Sequence, residues 1–217
     1  MKIQYLGHSC FRLISDMGTT VLCDPYKSDM VGPNMPLVRC DVVTVSHHHD
    51  DHDCMDAVMG NPAVIDCQTA CCADDIAISS FLSFHDDEKG AKRGANLVFL
   101  FEIDGLKIVH MGDIGCFDEK IVTEVRGCDV LMLPVGGIYT ADATTAKKYV
   151  DEIVPKIVLP MHYMTDKHKF QLDGLDKFVS LFDTTQIKID DSYCLTLLDE
   201  PQNDRAEVII LQKLEDL

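Results

Sequence analysis

Residues 46–53 read Ser-His-His-His-Asp-Asp-His-Asp, so four of the chain's nine histidines fall within six positions, interleaved with carboxylates. Unpaired, such a cluster would repel itself and be costly to bury, whereas a divalent cation turns the same groups into ligands. The spacing is HxHxDH, with His47, His49, Asp51 and His52 at the ligand positions. This nitrogen and oxygen set suits zinc, and also manganese or iron. If the backbone after Val45 stays extended, alternation sends His47 and His49 to one side and His48 to the other, toward solvent. Asp51 and His52 are neighbours, so they should diverge and serve a second ion. Cations held this way ionise water near neutral pH, which points to hydrolysis. Nucleophilic catalysis by Ser9 or Cys10 has no motif to support it.

The elements that must position these groups are short strands. Further candidate ligands stand where apolar runs end: His85 after 77–84, Asp113 after 107–111 and Gly112, and His162 after 156–159. Strand ends of a packed core hold ligand directions well. Asp16-Met17-Gly18 and Asp104-Gly105 are tight-turn signals, each predicting a hairpin. An internal echo relates the halves, since Cys40-Asp41-Val42-Val43 resembles Cys128-Asp129-Val130-Leu131. Likewise one strand, 19–23, runs into Asp24 and another, 107–111, into Asp113. Two face-to-face sheets related by a pseudo-twofold are expected. Helical patterns cover 53–59 with Asp53 as N-cap, 117–125, 141–153 capped by Thr140, and 173–182. The predicted fold is therefore α/β, a four-layer αββα sandwich of two mixed sheets with helices outside, as a single domain over 1–217.

Composition narrows the function classes. A 47% hydrophobic and 25% charged chain of 217 residues is that of a globular protein with a substantial core. The net charge of −17 disfavours nucleic acid or an anionic membrane as partner. A small-molecule substrate fits better, anionic ones included, because bound cations dominate the local field. No signal peptide or membrane span is expected, so the predicted location is cytoplasmic, with a homo-oligomer left open. Ten cysteines without paired CxxC knuckles are expected as reduced thiols, with Cys67, Cys71 and Cys72 as small buried hydrophobes.

The ordered set of motifs resembles the metallo-β-lactamase superfamily, and within it the small Zn-dependent hydrolases of the lactonase-like branch. The signatures are Gly7-His8-Ser9-Cys10-Phe11, Cys23-Asp24-Pro25-Tyr26, the HxHxDH run, His110-Met111-Gly112-Asp113, Leu133-Pro134-Val135-Gly136-Gly137 and Leu159-Pro160-Met161-His162-Tyr163. The resemblance implies a dinuclear site for two divalent ions, zinc foremost. His47, His49 and His85 would hold the first, Asp51, His52 and His162 the second, and Asp113 would bridge them. Asp51 and His8 are the implied catalytic residues, with Asp51 orienting the nucleophile and His8 facing the site. Asp24 matches a structural acidic position. His85 departs most from the pattern, because Asp86-Asp87-Glu88 follows it. His110 is expected to be structural, His168 to be solvated, and Arg93 and Tyr139 to stand near the substrate or pack simply. Competing readings are a di-iron redox protein, disfavoured because His49 stands where such proteins carry Glu, a nuclease, disfavoured by charge, and a non-catalytic metal-binding protein.

Overall fold

Two sheets carry the fold in the computed structural model, which describes residues 1–197 and 205–214. In chain order the first strands are β1 Lys2–Gly7, β2 Cys10–Ile14, β3 Thr20–Cys23, β4 Val38–Arg39, β5 Val42–Thr44, β6 Val58–Met59, β7 Ala63–Ile65 and β8 Ala70–Ala73. There follow β9 Ile76–Phe84, β10 Ala95–Ile103, β11 Leu106–His110, β12 Val130–Pro134, β13 Ile157–Met161, β14 Ile187–Asp190, β15 Cys194–Thr196 and β16 Glu207–Leu211. The helices are α1 Ser28–Val31, α2 Glu119–Val125, α3 Ala143–Ile153 and α4 Leu175–Val179. One sheet runs β15-β1-β2-β3-β5-β7, the other β14-β16-β13-β12-β11-β10-β9-β8, and β4 pairs with β6.

Alternation along β10 explains the stacking. Phe99, Phe101 and Ile103 enter the core between the sheets with Ile3, Phe11, Leu13 and Val21. Val98 and Leu100 face the other way, against Val122, Tyr149 and Phe178 of α2, α3 and α4. A slip of one residue would exchange the two faces. β12 and β13 are buried at every position, as parallel strands covered on both sides must be. Outside the first sheet, Leu22, Val43 and Val45 pack against Tyr26, Val31 and Met35. The order is αββα, but this outer layer is a one-turn helix and loops.

The internal echo is topological. β2 pairs antiparallel with β3, and β3 parallel with β5. In the second sheet β10 pairs antiparallel with β11, and β11 parallel with β12. Asp24 leaves β3 as Asp113, after two linking residues, leaves β11, so equivalent strand ends deliver two acids toward one region. Both predicted hairpin turns connect antiparallel neighbours.

Some expectations shift. The helix predicted over 53–59 is a single 3-10 turn, Met55–Ala57, running straight into β6. The carboxylate of Asp53 meets His48 Nδ1 at 2.7 Å and caps nothing. α3 begins at Ala143 because Asp142, not Thr140, accepts the Thr145 N–H. α4 shortens to Leu175–Val179 while keeping Phe178 buried. Cys67, Cys71 and Cys72 are exposed rather than buried, since Cys71 and Cys72 lie on the edge strand β8 and Cys67 in the connection before it. All ten cysteines are free thiols. No described helix is long and apolar enough to cross a membrane.

Candidate metal centre

One oxygen of Asp113 is the focus of the site. Its Oδ2 lies 3.1 Å from His52 Nε2, 3.1 Å from His162 Nε2, 3.3 Å from His85 Nε2 and 3.9 Å from His47 Nε2. Nε2 of His47, His52 and His162 and Oδ1 of Asp113 are buried with no hydrogen-bond partner among the described residues. Buried polar atoms are normally satisfied, and several orphaned together around one point are what converging ligands look like. The residues therefore fit divalent cations. Three sets of donor atoms lie within 4.8 Å of one another: His47, His49 and His85; His47, His52 and Asp113; and His8, Asp51, His52 and His162. The seven predicted ligands are thus brought together, and His8 joins the second set. His49 is the exposed member, its ring 4.5 Å from that of His47 and 5.2 Å from that of His85.

Backbone geometry delivers these groups. Asp113 follows Gly112, whose φ of +55° favours glycine, and a Cβ there would press on Asn96 Oδ1 and stand 2.6 Å from Ser46 Cβ. Asn96 Oδ1 accepts the Asp113 N–H at 2.8 Å, while its amide donates to Ser83 Oγ and the Met111 carbonyl. At Gly136 a Cβ would collide with the His162 carbonyl oxygen, so the Leu133–Gly137 motif clears room for the end of β13. His8 and His162 both hold positive φ, +53° and +52°, and the His162 N–H donates to the His8 carbonyl at 3.0 Å.

Hydrogen bonds on the far ring nitrogens aim the nitrogens that face the centre. Asp24 is wholly buried and accepts the Ser46 N–H at 2.8 Å, the Ser46 hydroxyl at 2.6 Å and His52 Nδ1–H at 2.7 Å. With that proton on Nδ1, the neutral ring of His52 presents a bare Nε2 to the centre, where a cation can take the place of a second proton. Ser46 Oγ in turn lies 2.9 Å from His47 Nδ1, freeing His47 Nε2 in the same way. His110 is structural in the sense expected: Gly112 N–H donates to its Nδ1, so Nε2–H donates to the Ser9 carbonyl at 2.8 Å.

The acidic run after His85 does not crowd that candidate ligand. Asp86 is buried and turned into its own loop, accepting the backbone N–H groups of Glu88, Gly90, Lys92 and Arg93 at 2.8–2.9 Å. Burial would raise its carboxyl, but these four donors outweigh it and bring it down to about 2.

Electrostatics favour cation binding. Burial lowers His47 to about 3, leaving it neutral and ready to ligate. Burial works the same way on His52, yet the carboxylates of Asp113, Asp51 and Asp24 reverse it and favour positive charge at that ring. Asp113 is pushed well below the usual carboxylate range, because His162 and His52 outweigh its burial.

His168 corrects the expectation of a solvated side chain. It is half-buried, because 160 positions after His8 the chain returns to set its Nε2 3.3 Å from His8 Nδ1. The Thr165 N–H donates to His168 Nδ1, so His168 carries its proton on Nε2 and donates to His8. That assigns the His8 proton to Nε2, which donates to Asp51 Oδ2 at 3.4 Å. Burial lowers His8 to about 3, so this chain is neutral up to the Asp51 carboxylate.

The centre opens into a cavity of about 720 Å³, lined by Met30, His49, Asp51, His85, Arg93, Tyr139 and Phe170 among others. Tyr139 and Phe170 meet edge to face at 5.9 Å, and Phe170 also meets His8 at 5.8 Å. Sequence reasoning passed over Phe170, Asn96 and Ser46. His48 faces outward at the rim, bound to Asp53. Replacing it with alanine is expected to leave metal content unchanged and turnover within about twofold, as for an exposed side chain. Metal analysis and rate measurement on the variant check this, and a large loss would mean the ligand register is misread.

Comparison with known proteins agrees with this geometry. A family profile described as a β-lactamase superfamily domain matches residues 2–162. The chain is similar to a UPF0173 metal-dependent hydrolase of Archaeoglobus fulgidus, 31% identical over 198 residues, covering 76% of this chain and 84% of the relative. A UPF0173 metal-dependent hydrolase of Listeria innocua is likewise 31% identical, with 83% of this chain and 95% of that protein covered. In structure the chain is similar to a candidate Zn-dependent hydrolase of the metallo-β-lactamase superfamily from Thermotoga maritima. That match has a TM-score of 0.80 and 36% identity, over 97% of this chain and 99% of that one. An isothiocyanate hydrolase from Delia radicum gut bacteria, 15% identical with a TM-score of 0.63, covers 83% of this chain and 91% of its own and shares the fold alone.

Proposed function

The chain belongs to the β-lactamase superfamily domain family, and from that premise we propose that it is a metal-dependent hydrolase of a small molecule, with a dinuclear centre at the base of its cavity. The observation that carries the reading is the approach of four imidazole nitrogens to Asp113 Oδ2, at 3.1–3.9 Å, three of them buried without a hydrogen bond. In this reading His47, His49 and His85 hold one cation, Asp51, His52 and His162 the other, and Asp113 spans both. When bound, zinc or a similar divalent pair supplies Lewis acidity and makes water nucleophilic near neutral pH.

The chain's own residues do the rest. Asp24 and Ser46 fix which ring nitrogens of His52 and His47 point inward. Asp51 Oδ2 accepts from His8 Nε2–H, which leaves its other oxygen to orient the attacking water. His8, backed by His168, holds its proton at Nε2 against Asp51 and so fixes that carboxylate's orientation. Tyr139 and Phe170 shield the reacting bond from bulk water. The bond cleaved is an ester, lactone or phosphoester.

Metal analysis of the purified protein, chelation and a substrate panel test this. About two equivalents of zinc, manganese or iron are expected. Chelation should abolish turnover of esters, lactones or phosphodiesters, and one of these metals should restore it. Activity that survives complete metal removal overturns the reading. So does a metal-replete protein inactive across the whole panel.

A further inference from the structure

We propose that Arg93 is the anion-recognising residue of the cavity, so that the substrate carries a carboxylate or phosphate group separate from the bond that is cleaved. This rests on the hydrolase reading above, and it names a class of substrate that the metal ligands alone do not select.

Charge and pairing carry the first half of the inference. The chain has a net charge of −17, and Asp50, Asp51 and Asp113 all line the cavity. Arg93 is the sole Lys or Arg among the described residues that line it. In so acidic a protein its guanidinium would readily find a carboxylate, yet it forms no ion pair with any described residue. The acids nearest in sequence are engaged elsewhere: Asp87 and Glu88 both pair with Lys92, at 3.5 and 2.8 Å. An unpaired guanidinium at the wall of a pocket is a fork of N–H donors shaped for an oxyanion.

Placement carries the second half. The Arg93 N–H is anchored on Asp86 Oδ2 at 2.8 Å, and Asp86 directly follows the candidate ligand His85. At the other end Nη2 donates to the Ile138 carbonyl at 3.2 Å, and Cζ lies 5.5 Å from the centre of the Tyr139 ring. A carbonyl and an aromatic face orient the charge without neutralising it. Nη1 and Nε remain for a ligand. The Asp86 loop thus ties an anion receptor and a candidate metal ligand into one rigid piece. A substrate held by its anionic group at Arg93 would have its reacting bond directed at the centre.

The test is binding of probes to the metal-loaded, full-length protein by calorimetry, with butyrate compared against the dicarboxylates malonate to adipate and against 3-phosphonopropionate. One carboxylate of each probe can sit at the metal centre, and only the two-headed probes can also reach Arg93. The wild type is expected to prefer at least one two-headed probe over butyrate, and which head group wins tells carboxylate from phosphate. Arg93→Gln should erase that preference, weakening the two-headed probe by about 10- to 30-fold. Lys89→Gln removes the same charge from an exposed residue of the same loop that holds no acid among the described residues, and it should leave the preference in place. No preference in the wild type, a preference that survives Arg93→Gln, or an equal loss in Lys89→Gln would overturn the assignment. An Arg93-dependent preference in a protein that cleaves nothing on the panel upholds the anion site and refutes the hydrolase reading. Panel turnover without that preference does the reverse.

Discussion

Replacing Asp113 with alanine is expected to lower metal content by at least one equivalent and to cut kcat/KM by more than about 1000-fold, or roughly 4 kcal/mol of transition-state stabilisation. The reasoning is geometric. Asp113 Oδ2 lies within 3.3 Å of Nε2 of His52, His85 and His162, which belong to different predicted ligand sets. No other described carboxylate approaches both sets, since Asp51 Oδ2 is near only His8, His52 and His162. Loss of Asp113 therefore removes the one described carboxylate in direct approach to histidines of both sets. Asp113→Asn would keep shape and the backbone bond to Asn96 Oδ1 but not the charge. It should resemble the alanine variant in metal content, which separates loss of charge from loss of packing. Elemental analysis with parallel rate measurements decides the matter. A metal-replete, fully active Asp113→Ala protein would show that the carboxylate spans nothing.

Legibility in the sequence followed the range of the forces involved. β2 and the turns at Asp16–Gly18 and Asp104-Gly105 could be read directly, because period-two burial and turn chemistry are local. The placement of the candidate ligands was legible for the same reason: His85, Asp113 and His162 follow strands whose apolar pattern stops abruptly. The helix expected over 53–59 failed because pairing of β6 with β4 is a tertiary event that local pattern does not encode. His168 was misread because its burial depends on a contact 160 positions away. Asn96 gave no signal at all, sitting inside a strand where only the fold shows that its side chain positions Asp113. The run Asp86-Asp87-Glu88 looked like a threat to His85, and only the loop reveals that Asp86 is consumed by backbone donors. Sequence pattern thus exposed what each strand presents at its end, and left hidden which loop closes over it.

Asp24→Ala should do two kinds of damage at once, and Asp24→Asn should separate them. Asp24 is fully buried, and its carboxylate satisfies the Ser46 N–H, the Ser46 hydroxyl and His52 Nδ1–H. Alanine strands all three donors in the core, and it must also adopt the left-handed backbone that Asp24 holds at φ +46°. A stability loss of about 3–5 kcal/mol is expected, read as a fall in denaturant midpoint. Asparagine tolerates that backbone and keeps one carbonyl oxygen for Ser46, so its cost should be about 1–2 kcal/mol. Its amide, however, can face His52 Nδ1 with a donor. The imidazole then does better to carry its proton on Nε2, the very atom that must be bare to ligate. Metal affinity should therefore fall about 10- to 100-fold in both variants, although only alanine unfolds easily. Titration of the metal-free proteins with zinc gives the affinities independently of activity. If Asp24→Asn bound zinc as tightly as the wild type, the orientation of His52 would not depend on Asp24, and the acid at the end of β3 would be a fold residue alone.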